Sequence, residues 1–214
     1  MTGRHATAVA AVLLAVLFTT PPAWCGWAGD MDGLRDAMAE VRSIRAPFVQ
    51  EKHLPILENP IESTGEFHWR APGNVRWEYE KPVRTVLLMS GEDLLRYTWR
   101  DGGWSRDSGG GLEAVRAVVE DINSWMSGDF DRSETFSARL EPGDPARVVL
   151  TPRAEELADF IQGVDIVLGE RPGLISRIVI HEGAAAHTVI SFRYPELNPD
   201  IPDAVFREAA YDGR

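Results

Sequence analysis

Five histidines, a pair of adjacent carboxylates and one glycine run are the residues of this chain whose types could support chemistry. His5, His53, His68, His181 and His187 are potential metal ligands or proton carriers. None is spaced with another His, Cys or carboxylate as a metal cluster requires. His68 stands between Phe67 and Trp69, so in a strand it faces away from both. His53, among polar neighbours, fits a solvated strand position. Glu155-Glu156 and Asp101 offer carboxylates for acid–base work, but such groups in an acidic chain fit a solvated face. Ser108-Gly109-Gly110-Gly111 precedes a helical pattern, yet no Lys-Ser or Lys-Thr follows, so it is not a phosphate loop. HExxH, CxxC and GxSxG are absent. The residues point to a protein that is not an enzyme and uses no cofactor or metal.

The tryptophans are more informative. There are seven, and four of them, Trp69, Trp77, Trp99 and Trp104, fall in one stretch of short alternating segments. Nucleic-acid stacking would need basic residues around them. The formal net charge of −11 excludes it, along with anionic membrane surfaces. Two readings stay open: an ordinary core, or a ligand cavity lined by large apolar groups with few polar anchors.

Strands must position these rings. In each segment the large side chains share a parity: Phe67 and Trp69; Val75, Trp77 and Tyr79; Leu95, Tyr97 and Trp99. Residues two apart share a strand face, which predicts one sheet face lined with aromatic and aliphatic groups. Turn formers at Asn59-Pro60, Pro72-Gly73, Lys81-Pro82 and Ser90-Gly91 separate strands at Ile61–Trp69, Asn74–Glu80, Arg84–Met89 and Asp93–Arg100. Before them come a predicted helix over Asp30–Arg45 and a strand from Phe48 to Leu57, interrupted at Pro55. Asp101-Gly102-Gly103 predicts a hairpin into a strand at Trp104.

The period then changes. Leu112, Val115, Val118, Val119, Ile122, Trp125 and Met126 form one apolar helical stripe after the flexible Ser108–Gly111 loop. A lid that lifts and a core helix with a loose connection both fit. Five further strands follow between Glu134 and Tyr194, with a short helical turn over Ala154–Asp159. Pro195–Pro202 predicts an irregular tail, and Ala204-Val205-Phe206 a final apolar plug. The fold class is α+β: a strongly curved antiparallel sheet with helices packed on its concave face.

The N-terminus reads as an export signal. Arg4 precedes an apolar run from Ala6 to Phe18, which is shorter than the roughly 20 residues a membrane span needs. Small residues at Gly26 and Ala28 favour cleavage after Ala28, with Cys25 as the other possible point. Residues 1–28 are the expected signal peptide and 29–214 one domain of about 186 residues with a net charge of about −12. Either cut leaves no cysteine for a disulfide.

The stretch from Phe48 resembles the periplasmic outer-membrane lipoprotein carrier family, LolA and its relatives. The likeness lies in Phe48-Val49-Gln50-Glu51-Lys52; Ser63-Thr64-Gly65-Glu66-Phe67 leading to Pro72; Val75-Arg76-Trp77-Glu78-Tyr79 before Pro82; and Leu94–Tyr97 after Ser90-Gly91. Leu150-Thr151-Pro152 and Gly173–Ile180 extend it. The resemblance implies an incomplete antiparallel β-barrel with a helical lid over a hydrophobic cavity. It implies a monomeric carrier of lipoprotein acyl chains, loaded by an inner-membrane ABC release complex and unloaded at an outer-membrane receptor. A sensor or receptor domain of the same fold is the other reading. One departure stands out: the best-known carriers place an Arg directly before the second strand's Pro, whereas here Ala71 holds that position and Arg70 precedes it.

The expected acyl site is Phe67, Trp69, Trp77, Tyr79, Leu95, Tyr97 and Trp99 on the sheet, facing Val115, Val118, Val119, Ile122 and Trp125 on the helix.

Overall fold

The computed structural model describes residues 29–107, 112–171 and 173–211, and only the backbone of helix residues 112–115, 117 and 118. The expected signal peptide, the Ser108–Gly111 loop and Pro172 lie outside the described residues.

Helix α1 spans Met31–Ala39, with Asp30 at its N-cap accepting from the Gly33 N–H. It is shorter than the periodicity predicted. The chain leaves the helix at Glu40, and Ile44 lies in the first strand, β1 (Ser43–His53). Strand pairing on both sides of β1 overrides a helical spacing that fits Val41 and Ile44 equally well. Pro47 stands inside β1 where the strand changes partner. The short β12 (Glu196–Leu197) pairs with Ile44 and Arg45, and β11 (His187–Phe192) takes over from Phe48. A residue without an N–H is tolerated at that junction. The turn region 54–60 follows, so the predicted strand stops short of Pro55.

A meander of β2 (Ile61–Arg70), β3 (Asn74–Lys81), β4 (Thr85–Ser90), β5 (Asp93–Arg100) and β6 (Gly103–Arg106) comes next. Helix α2 (Leu112–Met126) leads to β7 (Phe136–Glu141), β8 (Arg147–Pro152), the short α3 (Glu155–Ala158), β9 (Ile161–Leu168) and β10 (Ile175–Glu182). All pairs are antiparallel, in one 12-stranded sheet of order β6-β5-β4-β3-β2-β1-β11-β10-β9-β8-β7, with β12 beside β1. The sheet is not closed; β6 and β7 are its free edges.

The register assigns the two faces. Ile44, Ala46 and Phe48 oppose Trp69, Phe67 and Gly65, and Phe67 and Trp69 oppose Trp77 and Val75. In the other half Phe192, Ile190, Ile178, Ile166 and Val148 continue the same face. These residues join Leu34 and Met38 of α1 and Val119, Ile122, Trp125 and Met126 of α2 in one buried cluster. Gly65 is required at its place. A Cβ there would overlap the Glu78 carbonyl and approach the Phe48 ring to 2.8 Å.

The opposite face has a different cover. Val86 and Leu88 are fully buried on it, and the chain after Pro199 returns to lie against it. Ile201, Val205 and Phe206 form a second small core there, so the predicted apolar plug exists but on the far side of the sheet. Arg76, 1% exposed, ties this segment down. It donates to the carbonyls of Val205 (3.1 Å), Glu208 (2.8 Å) and Ala209 (3.2 Å) and pairs with Glu78 at 2.6 Å. Arg70 also belongs to this face: it donates to the Ile201 carbonyl, pairs with Asp203 and stacks on Phe206.

Two outcomes test this account. Gly65→Ala should cost about 2–3 kcal/mol in a urea titration, because the new methyl meets backbone. Arg76→Ala should cost about 3 kcal/mol by leaving three carbonyls without their donor and Glu78 with only the half-exposed Arg84, and limited proteolysis should then cut first beyond Pro199.

Candidate functional site

The helix-covered face carries an aromatic cluster. Trp77 lies 5.3 Å from Phe48, 5.1 Å from Phe67 and 6.3 Å from Phe192, ring centre to ring centre. Tyr79 meets Phe48 edge-on at 5.2 Å. Such pairs contribute about 0.5–1.5 kcal/mol each beyond the area they bury. Phe67, Trp69 and Trp77 are buried, and Tyr79 packs at the margin of the cluster. From above, Val119, Ile122 and Trp125 of α2 close onto the same cluster. Val115 and Val118 share their helical stripe, but their side chains lie outside the described residues.

Leu95, Tyr97 and Trp99 do not belong to this group. The register sets Leu95 opposite Leu88 and Tyr97 opposite Val86, while Leu87 and Met89 oppose Trp77 and Val75. The three therefore sit on the face covered by the C-terminal segment. Leu94 takes the helix-covered position instead and is buried in the main cluster. Parity within a strand is legible in sequence, but parity between strands depends on the length of the turn, and one residue at Gly91-Glu92 reverses it. Trp99 packs against Trp104, and the Arg84 guanidinium lies over both rings.

Polar contacts inside the helix-covered space are few. The Trp69 indole N–H donates to Asn123 Oδ1 on α2 at 2.9 Å, among the described residues the one side-chain hydrogen bond between that helix and the aromatic group. The Tyr79 hydroxyl donates to Gln50 Oε1 at 2.8 Å. Burial pushes the Tyr79 phenol up to about 12, with only a partial offset from the Trp77 indole. The Trp77 and Trp125 Nε1–H groups, both buried, make no hydrogen bond of ordinary geometry.

Little room is left between helix and sheet. The space among Ile44, Ala46, Phe67, Met126, Ile175 and Phe192 is about 10 Å³, the least that one water needs. A larger concavity of about 400 Å³ opens where Leu34 of α1 faces Pro145, Ala146, Leu168 and Gly169. On the opposite face a cavity of about 480 Å³ is lined largely by charged groups, several of which pair with one another. There Arg45 meets Glu66 at 2.7 Å, and Arg84 meets Glu78 at 3.2 Å. His68, expected to face away from the aromatic group, does so. It is buried rather than solvated, and burial holds its imidazole below the ordinary value. No group of three or more potential metal ligands occurs among the described residues.

The C-terminal end of α2 is fixed to α1. Arg35 pairs with Asp131 at 2.7 Å and approaches Asp129 at 3.7 Å, both just past α2. Asp121 of α2 accepts from Ser133 Oγ at 2.9 Å, and that hydroxyl in turn accepts from the Thr135 and Phe136 N–H groups. Burial raises the Asp121 carboxyl above its ordinary value. A carboxyl raised in the folded state favours folding when protonated, and this contribution is lost as pH rises through the folded value. Asp121→Asn should therefore melt at a higher temperature than the parent at pH 7. The gap should close as pH falls below the ordinary carboxylate range, as read by thermal denaturation at several pH values.

Residues 39–208 match the family described as outer membrane lipoprotein carrier protein LolA. An outer-membrane lipoprotein carrier protein of Dechloromonas aromatica is 27% identical over 84% of this chain and 83% of its own length. One from Ralstonia nicotianae is 25% identical over 95% of this chain and 92% of its own. A solved LolA superfamily protein from Nitrosomonas europaea aligns over 82% of this chain and 96% of its own, with 14% identity and a TM-score of 0.43. With the family match running from the end of α1 to beyond the C-terminal turn, the chain belongs to the LolA family of outer membrane lipoprotein carrier proteins.

Proposed function

We propose that this protein is a periplasmic carrier that holds the acyl chains of lipoproteins between its aromatic sheet face and α2. It moves them from the inner to the outer membrane and carries out no catalytic step. One observation carries the reading: a continuous apolar face of an open sheet is roofed by a helix rather than by a second sheet. The sheet side of the site is Phe67, Trp69, Trp77 and Tyr79, and the helix side is Val115, Val118, Val119, Ile122 and Trp125. In this reading the sheet is an incomplete, strongly curved barrel and α2 is its lid.

The tight packing is part of the mechanism. Burying an acyl chain is worth about 0.8 kcal/mol per CH₂, so the protein must expose a comparable apolar surface to receive one. In the empty state α2 covers that surface itself. Cargo binding then needs α2 to lift, and the cost of lifting lowers the affinity enough for release. The pinned end beside Arg35 serves as the pivot, and the Trp69–Asn123 hydrogen bond is broken on opening. Loading by an inner-membrane ABC complex and unloading at an outer-membrane receptor complete the cycle. The acidic surface suits brief docking on basic partners.

Arg70 has a different task from the Arg that precedes Pro in the best-known carriers. It holds the C-terminal segment on the far face, so tuning of the lid falls to Asn123 and Arg35.

Purification from a native periplasm followed by mass spectrometry should find acylated lipoproteins bound in sub-stoichiometric amount. Recovery of the protein free of any acyl compound, from cells and after incubation with solubilised lipoprotein, would refute the carrier role. Val119→Glu should abolish uptake of a fluorescent acyl probe, by at least about tenfold, while the sheet signal in circular dichroism stays. Unchanged uptake would remove α2 from the site.

A further inference from the structure

The cavity of about 480 Å³ on the far face of the sheet has no part in the acyl-carrier reading. It lies between β2 and β3 on one side and the returning C-terminal segment on the other, where Ile201 and Val205 give it an apolar wall. His68 of β2 lines it and is only 8% exposed. Its Nε2 lies 3.7 Å from Glu66 Oε2, which favours the ring proton on that nitrogen. Nδ1 is then a lone-pair acceptor, and it has no hydrogen-bond partner in the protein. Burial favours the neutral ring, so this lone pair stays available. A buried acceptor calls for a donor from whatever fills the cavity.

Charge narrows the donor's identity. The guanidinium groups of Arg45, Arg76 and Arg84 line the cavity, and each pairs with Glu66 or Glu78. Glu80, Glu196 and Asp200 line it as well, and all three are exposed to solvent. Five carboxylates against three guanidinium groups leave the lining with a net charge of −2. An anion would add to that surplus, and a cation cancels it. A metal ion is a poor match, because no group of three or more potential metal ligands occurs among the described residues. We infer that this cavity binds a small organic dication of the linear diamine class. One ammonium donates to His68 Nδ1 at the buried end, and the other meets the exposed carboxylates. The methylenes between them run along Ile201 and Val205. A ligand held between Glu80 of β3 and Asp200 beyond β12 also ties the C-terminal segment to the sheet.

Titration calorimetry of the purified protein at low salt, with putrescine as the probe, tests this. Putrescine should bind about tenfold more tightly than butylamine, which has the same chain and a single ammonium. Glu80 and Glu196 are exposed, so a Glu80→Gln, Glu196→Gln double variant keeps the fold; it should bind putrescine about tenfold more weakly. In nitrogen spectra of the labelled parent, the His68 Nδ1 signal should move upfield with putrescine, as that of an acceptor does. Absence of saturable binding at millimolar putrescine overturns the inference. So do binding that is unchanged in the double variant, a His68 signal that does not move, and tighter binding of magnesium or acetate than of putrescine. Each of these failures leaves the carrier reading intact, because the acyl site lies on the other face of the sheet.

Discussion

An open antiparallel sheet with one largely apolar face is not stable in water until something covers that face. Here the cover is a single stripe of helix α2, aided by α1, and the rest of the molecule is arranged around that contact. Large rings supply area with few rotamers to freeze. The helix adds Val119, Ile122 and Met126, whose non-aromatic side chains interlock with the rings but make no directional bond. One hydrogen bond, Trp69 to Asn123, orients the pair. Non-directional apolar contact dominates, and such contact can be exchanged for another apolar surface with little penalty.

The two faces of the sheet answer different demands. The far face is held by charge: Arg70 and Arg76 capture backbone carbonyls of the C-terminal segment, and Glu66 and Glu78 pair with arginines around them. These bonds are directional, and for Arg76, whose guanidinium is buried, losing its partners would strand a buried charge. The C-terminal segment is therefore a fixed part of the wall. The near face relies on apolar packing between α2 and the aromatic cluster, with few directional bonds.

Alternation and turn chemistry made most strands legible in the sequence, because each strand's period and its bounding Gly and Pro are local properties. The aromatic parity of β2 and β3 also survived, so Phe67, Trp69, Trp77 and Tyr79 fall together as expected. Of the α2 stripe, Val119, Ile122, Trp125 and Met126 are buried in the same cluster. Leu95, Tyr97 and Trp99 were misassigned because a strand's face relative to its neighbour is set across the turn, which amphipathicity cannot reveal when both faces are buried. The early end of α1 had the same root. Val41 and Ile44 satisfy a helical stripe, but Ile44 gains more as a strand residue between β2 and β12.

By itself, then, the sequence determined the antiparallel α+β character, the order of elements, the aromatic lining of β2 and β3, and the apolar stripe that covers it. Each follows from periodicity within one element. Tertiary structure alone decided that β5 turns its other face inward and that the C-terminal plug lies on the far side. It also decided that Arg76 and His68 are buried. Those outcomes depend on which segments, distant along the chain, come to share a surface, and no local pattern encodes that.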